Sequence, residues 1–119
     1  MAVHSLTVKK IISIVRQVFP DAPEAYIMQL INEALKKEPN NGYFLDTLGW
    51  VQYKRKEYKL AVKNLQRAVS IQPNSSEIMD HLGDCYYKMG RKKEAFYEWN
   101  RALIFDADEN LKQNLELLF

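Results

Sequence analysis

The sequence is short of the residues that would staple, break or anchor it. Cys85 is its only cysteine, so no internal disulfide can form, and the redox compartment stays open. Mid-helix among apolar neighbours, that thiol reads as buried and inert. Only four glycines and four prolines occur in 119 residues, which excludes a collagen-like or low-complexity chain and leaves room for uninterrupted helices. No run approaches the roughly 20 apolar residues that cross a bilayer. The apolar stretch 3–19 is broken by Lys9, Lys10 and Arg16, and it lacks the basic, apolar, small-residue order of a signal peptide. An excess of charge is missing too. Seventeen Lys and Arg against fifteen Asp and Glu give a net charge of +2, too little to imply nucleic acid or an anionic membrane. Nor is there a phosphate-binding glycine loop, a Ser/His/Asp or Cys/His arrangement that chain register would assemble, or a buried-looking carboxylate pair. The expectation is a binding protein with no enzymatic activity, no cofactor and no metal.

What is present is a repeat. Residues 42–75 overlie residues 76–109 at a spacing of 34, with Asp46 on Asp80, Leu48 on Leu82, Gly49 on Gly83 and Tyr53 on Tyr87. Lys54 on Lys88, Ala61 on Ala95, Arg67 on Arg101 and Ala68 on Ala102 continue the match. A period of this length marks a helix–turn–helix unit that buries its apolar face only by stacking on neighbours. Stepping back one more period puts Ala34 under Ala68 and Pro39 under Pro73, so 8–41 reads as a degenerate first unit. The predicted organisation is a single domain over 1–119, with units 8–41, 42–75 and 76–109 and a capping helix at 110–119.

The expected fold is all-α, about seven helices in antiparallel pairs. Apolar residues at helical spacing predict helices over 4–18 and 23–37, the first an amphipathic layer at the start of the stack. The second opens on an Asp21–Glu24 capping box and closes at Pro39. Pairs follow over 41–54 with 57–71, and over 75–88 with 91–104. Asn74 and Glu77 cap the second pair, and Met89-Gly90 makes its turn. A last helix over 108–118 carries Leu111, Leu115 and Leu118, spaced to cover the open end. Gly49 and Gly83 allow close approach of paired helices, while Ala61, Ala68, Ala95 and Ala102 keep the facing helix equally near.

These residues resemble the tetratricopeptide repeat (TPR) family over essentially all of 8–119. The second unit supplies Leu45, Leu48, Gly49, Ala61, Leu65, Ala68 and Pro73 to the family pattern, and the third supplies Met79, Leu82, Gly83, Tyr86, Gly90, Ala95, Trp99 and Ala102. Gln52 stands where an aromatic is usual, Lys56 replaces the turn glycine and Ala107 replaces the proline. The wording of 45–50 and 80–84 is also similar to C-terminal repeats of longer bacterial proteins, often envelope-associated. Without a signal peptide the chain is expected in the cytoplasm; as a piece of such a protein it belongs to the periplasm or envelope.

The resemblance implies a short right-handed superhelical solenoid whose first helices line a concave groove. On the 42–54 helix Tyr43, Asp46, Trp50, Tyr53 and Lys54 fall on that side. On the next, Glu77, Asp80, Asp84, Tyr87 and Lys88 do, with His81 on the flank. Aromatic anchors beside acidic residues suit a partner peptide or helix carrying Lys or Arg. They disfavour both a C-terminal carboxylate and RNA, which wants a basic groove. His81 with Asp80 and Asp84 reads as a solvated face rather than a metal site. The expected function is therefore a scaffold for a protein partner. The alternative is a homodimer formed through the apolar terminal helices, and there is no strong membrane signal.

Overall fold

The computed structural model describes Gln17 and residues 24–118, with 108, 110–112 and 115–118 as backbone only. The expected 4–18 helix and the Asp21 capping box lie outside the described residues, as do the side chains of Leu111, Leu115 and Leu118. Five helices follow one another: α1 Glu24–Lys37, α2 Gly42–Lys54, α3 Tyr58–Ile71, α4 Ser76–Lys88 and α5 Lys92–Leu118. Among the described residues there is no strand.

Local chemistry sets the boundaries. Asn41 is extended, and its side-chain oxygen accepts from the Tyr43 and Phe44 amides at 3.0 and 3.1 Å. It thereby satisfies donors that the first turn of α2 leaves unpaired. The α4 cap is Ser75, whose hydroxyl accepts from the Ile78 amide at 3.3 Å. The expected Asn74 cap is thus one residue early, because a turn closed by the Ser75 amide on the Gln72 carbonyl (3.3 Å) absorbs Asn74. The two intra-pair turns are built alike. Lys56 and Gly90 both take left-handed φ, at 64° and 77°. The Glu57 amide then reaches the Gln52 carbonyl at 2.9 Å, as the Arg91 amide reaches Tyr86 at 2.9 Å. This closure wants glycine at its left-handed residue, and Lys56 adopts it at a steric cost.

Small residues bring the helices together. Ala61, Ala68 and Ala95 are fully buried and Ala102 is 4% exposed. A Cβ on Gly49 would come within 2.6 Å of Leu65 Cγ, and one on Gly83 would fall inside the Trp99 indole. Around these contacts lies a core of Leu45, Val62, Leu65, Ile78, Leu82, Cys85 and Tyr86. A second cluster, Ile27, Ile31, Leu48 and Val51, fixes α1 to α2. Gln52, in its aromatic's place, is buried and accepts from Asn64 Nδ2 at 2.8 Å.

Seven helices do not form among the described residues. The segments expected as 91–104 and 108–118 are one continuous helix of 27 residues, α5. No glycine or proline follows Gly90, and Ala107, in the proline's place, propagates a helix instead of stopping it. Residues 108–118 therefore extend the axis of α5 and do not turn back over the end of the stack.

Candidate functional site

The first helices of the two clear units, α2 and α4, meet through a column of side chains. Asp46 is 5% exposed, and its Oδ1 lies 2.7 Å from His81 Nδ1. A carboxylate so deep needs a hydrogen-bonded partner of opposite charge to offset its lost hydration. The Trp50 ring lies over His81 with centroids 4.3 Å apart and planes 24° from parallel. Trp50 also stacks on Tyr53 at 4.9 Å, and Lys54 Nζ stands 5.4 Å from the indole. Tyr53 meets Tyr58 edge-on at 5.7 Å.

Electrostatics follow from this packing. Burial lowers the His81 pKa, but the Asp46 hydrogen bond and the charges of Asp46, Glu77 and Asp84 outweigh it and leave the imidazole above its ordinary 6.5. The Tyr53 phenol is raised by burial first, with Asp84, Cys85 and Tyr58 adding to it. A second constellation joins α4 to α5. Trp99 Nε1 donates to Asp84 Oδ1 at 3.1 Å, and Trp99 touches Tyr87 and Phe96 with centroids 5.5 and 5.8 Å away. Burial raises the Asp84 carboxyl, Asp80 adds to the rise, and the Trp99 N–H and His81 oppose it.

Of the eleven residues expected on the groove, the structure gathers five, Asp46, Trp50, Tyr53, Lys54 and His81, into one column. Asp84 and Tyr87 join Trp99 instead, and Tyr43 lines a shallow depression with Asn41, Gly42 and Gln72. Glu77, Asp80, Tyr87 and Lys88 are exposed. The acidic surface differs in make-up from its expected form. Asp46 is turned onto His81 and Asp84 onto Trp99, so Glu77 and Asp80 carry the charge that solvent meets. Sequence reasoning missed the Asp46–His81 pair, although a separation one longer than the repeat places His81 beside the α4 equivalent of Asp46. It also missed the burial of Phe44 and Val51, both 2% exposed.

His81 with Asp80 and Asp84 forms no cation site: among the described residues no group of three His, Cys, Asp or Glu could hold a metal. The Cys85 thiol is fully buried, and burial first, then Asp84 and Asp46, pushes it up to about 12, which leaves no thiolate to react. Among the described residues no helix is long and apolar enough to cross a membrane.

A family model for ChAPs, the Chs5p-Arf1p-binding proteins, matches residues 3–115. The chain belongs to the ChAPs family. Its fold is TPR-like, and two solved structures share it. The Yersinia enterocolitica type III secretion translocator chaperone SycD aligns with a TM-score of 0.74 at 15% identity, over 96% of this chain and 86% of that one. MamA (MSR-1 C2) aligns with a TM-score of 0.67 at 18% identity, over 87% of this chain. The ChAPs chain spans 58% of that MamA chain. No curated protein matches it. A place among longer bacterial repeat proteins finds no support in the family match. As a ChAPs member with a TPR-like fold, the chain is a protein–protein interaction module and not an enzyme.

Proposed function

We propose that this module holds a peptide or helix of a protein partner against the wall formed by α2 and α4, within a single domain of units 8–41, 42–75 and 76–109. The observation that carries this reading is the Asp46–His81–Trp50 column. It ties two first helices together and leaves the half-buried indole of Trp50 in the wall. A guest ring or aliphatic chain gains from such a preorganised aromatic surface, because the groups that order on binding are already fixed. Exposed Glu77 and Asp80 on α4 favour a guest with Lys or Arg. The name of the family makes proteins related to Chs5p and Arf1p the first partners to test.

The test is binding of purified Chs5p and Arf1p from the chain's own host to wild type, Trp50→Ala and Asp80→Arg. Both substitutions should weaken binding by about tenfold or more, with helical content unchanged by circular dichroism. A partner held equally well by both variants refutes this wall as the site. A second reading, self-association through the terminal helices, draws on Ile104 of α5, which is 60% exposed. Light scattering that shows a monomer at every concentration removes it.

A further inference from the structure

Four of the seven large hydrophobic residues exposed in the described structure lie on α5: Phe96 at 53%, Tyr97 at 62%, Leu103 at 66% and Ile104 at 60%. A fifth, Tyr87 at 49%, is on α4. The repeat register sorts them into two groups. Tyr97 and Ile104 correspond to Lys63 and Ser70 of the preceding unit, which are exposed as well, so they stand on the outer back of the stack. Phe96, Trp99, Leu103 and Tyr87 correspond to Val62, Leu65, Val69 and Tyr53. In that unit Val62 is 7% exposed and Leu65 fully buried, and Val69 and Tyr53 pack against the same core.

What buries the earlier set is α4. It lies against α2 and α3 and brings Ile78, Leu82, Cys85 and Tyr86 onto Val62 and Leu65 in one cluster. One repeat later the same seat exists, walled by Tyr87 of α4 and by Phe96, Trp99 and Leu103 of α5, with ring contacts already made at 5.5 and 5.8 Å. Among the described residues nothing after Leu103 turns back to fill it, because α5 runs straight through Ala107 to Leu118. The seat thus continues an interface already formed inside the molecule, and the shape of its occupant follows from that interface.

We infer that the seat of Tyr87, Phe96, Trp99 and Leu103 docks one amphipathic helix of a protein partner, lying on α4 and α5 as α4 lies on α2 and α3. The partner helix presents apolar residues at the spacing of Ile78, Leu82, Cys85 and Tyr86, that is i, i+4, i+7 and i+8, which is a single helical stripe. A trough between two helices takes a third helix. Tyr97 and Ile104 form a separate outer stripe on α5. The seat is distinct from the α2–α4 wall, and either can fail without the other.

The native interface supplies a probe, a peptide of residues 74–90 held helical by a side-chain bridge on its outer face. It is titrated into the full chain carrying Trp50→Phe, so that Trp99 alone reports. Saturable binding with a blue shift of Trp99 emission is expected. Leu103→Glu should weaken it at least about tenfold, equivalent to about 1.4 kcal/mol. Ile104→Glu on the outer stripe should leave it unchanged. Leu103 is largely solvent-exposed, so its variant keeps the fold, which circular dichroism checks. The inference is overturned by absence of binding to a monomeric chain, or by binding that Leu103→Glu does not affect. It is overturned equally by a concentration-dependent dimer that Leu103→Glu abolishes, since the occupant is then a second copy.

Discussion

Removing the imidazole of His81 strands the Asp46 carboxylate inside the protein, and the structure sets the size of the penalty. The two side chains are 18% and 7% exposed and 2.7 Å apart. Breaking a buried pair by deleting one partner costs about 3–5 kcal/mol. Partial exposure of the histidine admits some water, so the lower end applies: about 3 kcal/mol for His81→Ala. Asp46→Asn keeps an acceptor but loses charge assistance, for about 1 kcal/mol. The pair also fixes the sign of a pH dependence. The His81 pKa is raised on folding, so the protonated form is favoured in the folded state. Its stabilisation is complete below pH about 6.5 and is lost as pH rises through the folded value. Urea unfolding followed by circular dichroism at pH 6 and pH 8.5 should show wild type less stable at the higher pH relative to Asp46→Asn. The reasoning is refuted if the variant keeps the full difference, or if NMR shows His81 titrating at or below 6.5.

Two backbone positions give further tests. Helix propensity alone makes Gly83→Ala stabilising by about 1 kcal/mol, but the new methyl would occupy the Trp99 ring and dislodge its bond to Asp84. Overpacking costs about 1–3 kcal/mol, so a net loss of up to about 2 kcal/mol in chemical denaturation is expected; a gain contradicts close helix approach. Lys56→Gly should go the other way. Relief of a left-handed residue at φ 64° is worth about 1–2 kcal/mol. The greater freedom of unfolded glycine takes back about 0.4–1 kcal/mol, leaving a gain of up to roughly 1.5 kcal/mol, and a loss would show that the Lys56 side chain makes a contact that matters.

Much of the architecture could be read from spacing because the constraint is steric and recurs. Gly49 and Gly83 sit where an added Cβ collides, and Ala61, Ala68, Ala95 and Ala102 are buried between helices, so the period is written in residues that the packing keeps small. The Met89-Gly90 turn was legible for the same reason, its left-handed φ of 77° being the kind of backbone that selects glycine. The end of α5 was not legible by analogy. A missing proline at 107 carries no positive signal, and only local propensity decides whether a helix continues.

The candidate wall was the hardest part to read, and the cause is the number of neighbours each helix has. An outer helix such as α3 packs on one side, and its buried residues Ala61, Val62, Leu65 and Ala68 form one stripe. The inner helix α2 touches α1, α3 and α4 together, so Phe44, Leu45, Asp46, Leu48, Gly49, Val51 and Gln52 are all buried. A helix hemmed in on three sides has no clean polar face, and a wheel drawn for one stripe assigns Asp46 to solvent. Whether an acid there is exposed or paired depends on which residue the next unit places opposite, here a histidine 35 positions away. The same crowding holds Asp46, His81 and Trp50 each against the next, so a guest at the proposed wall would meet side chains already ordered when the chain folded.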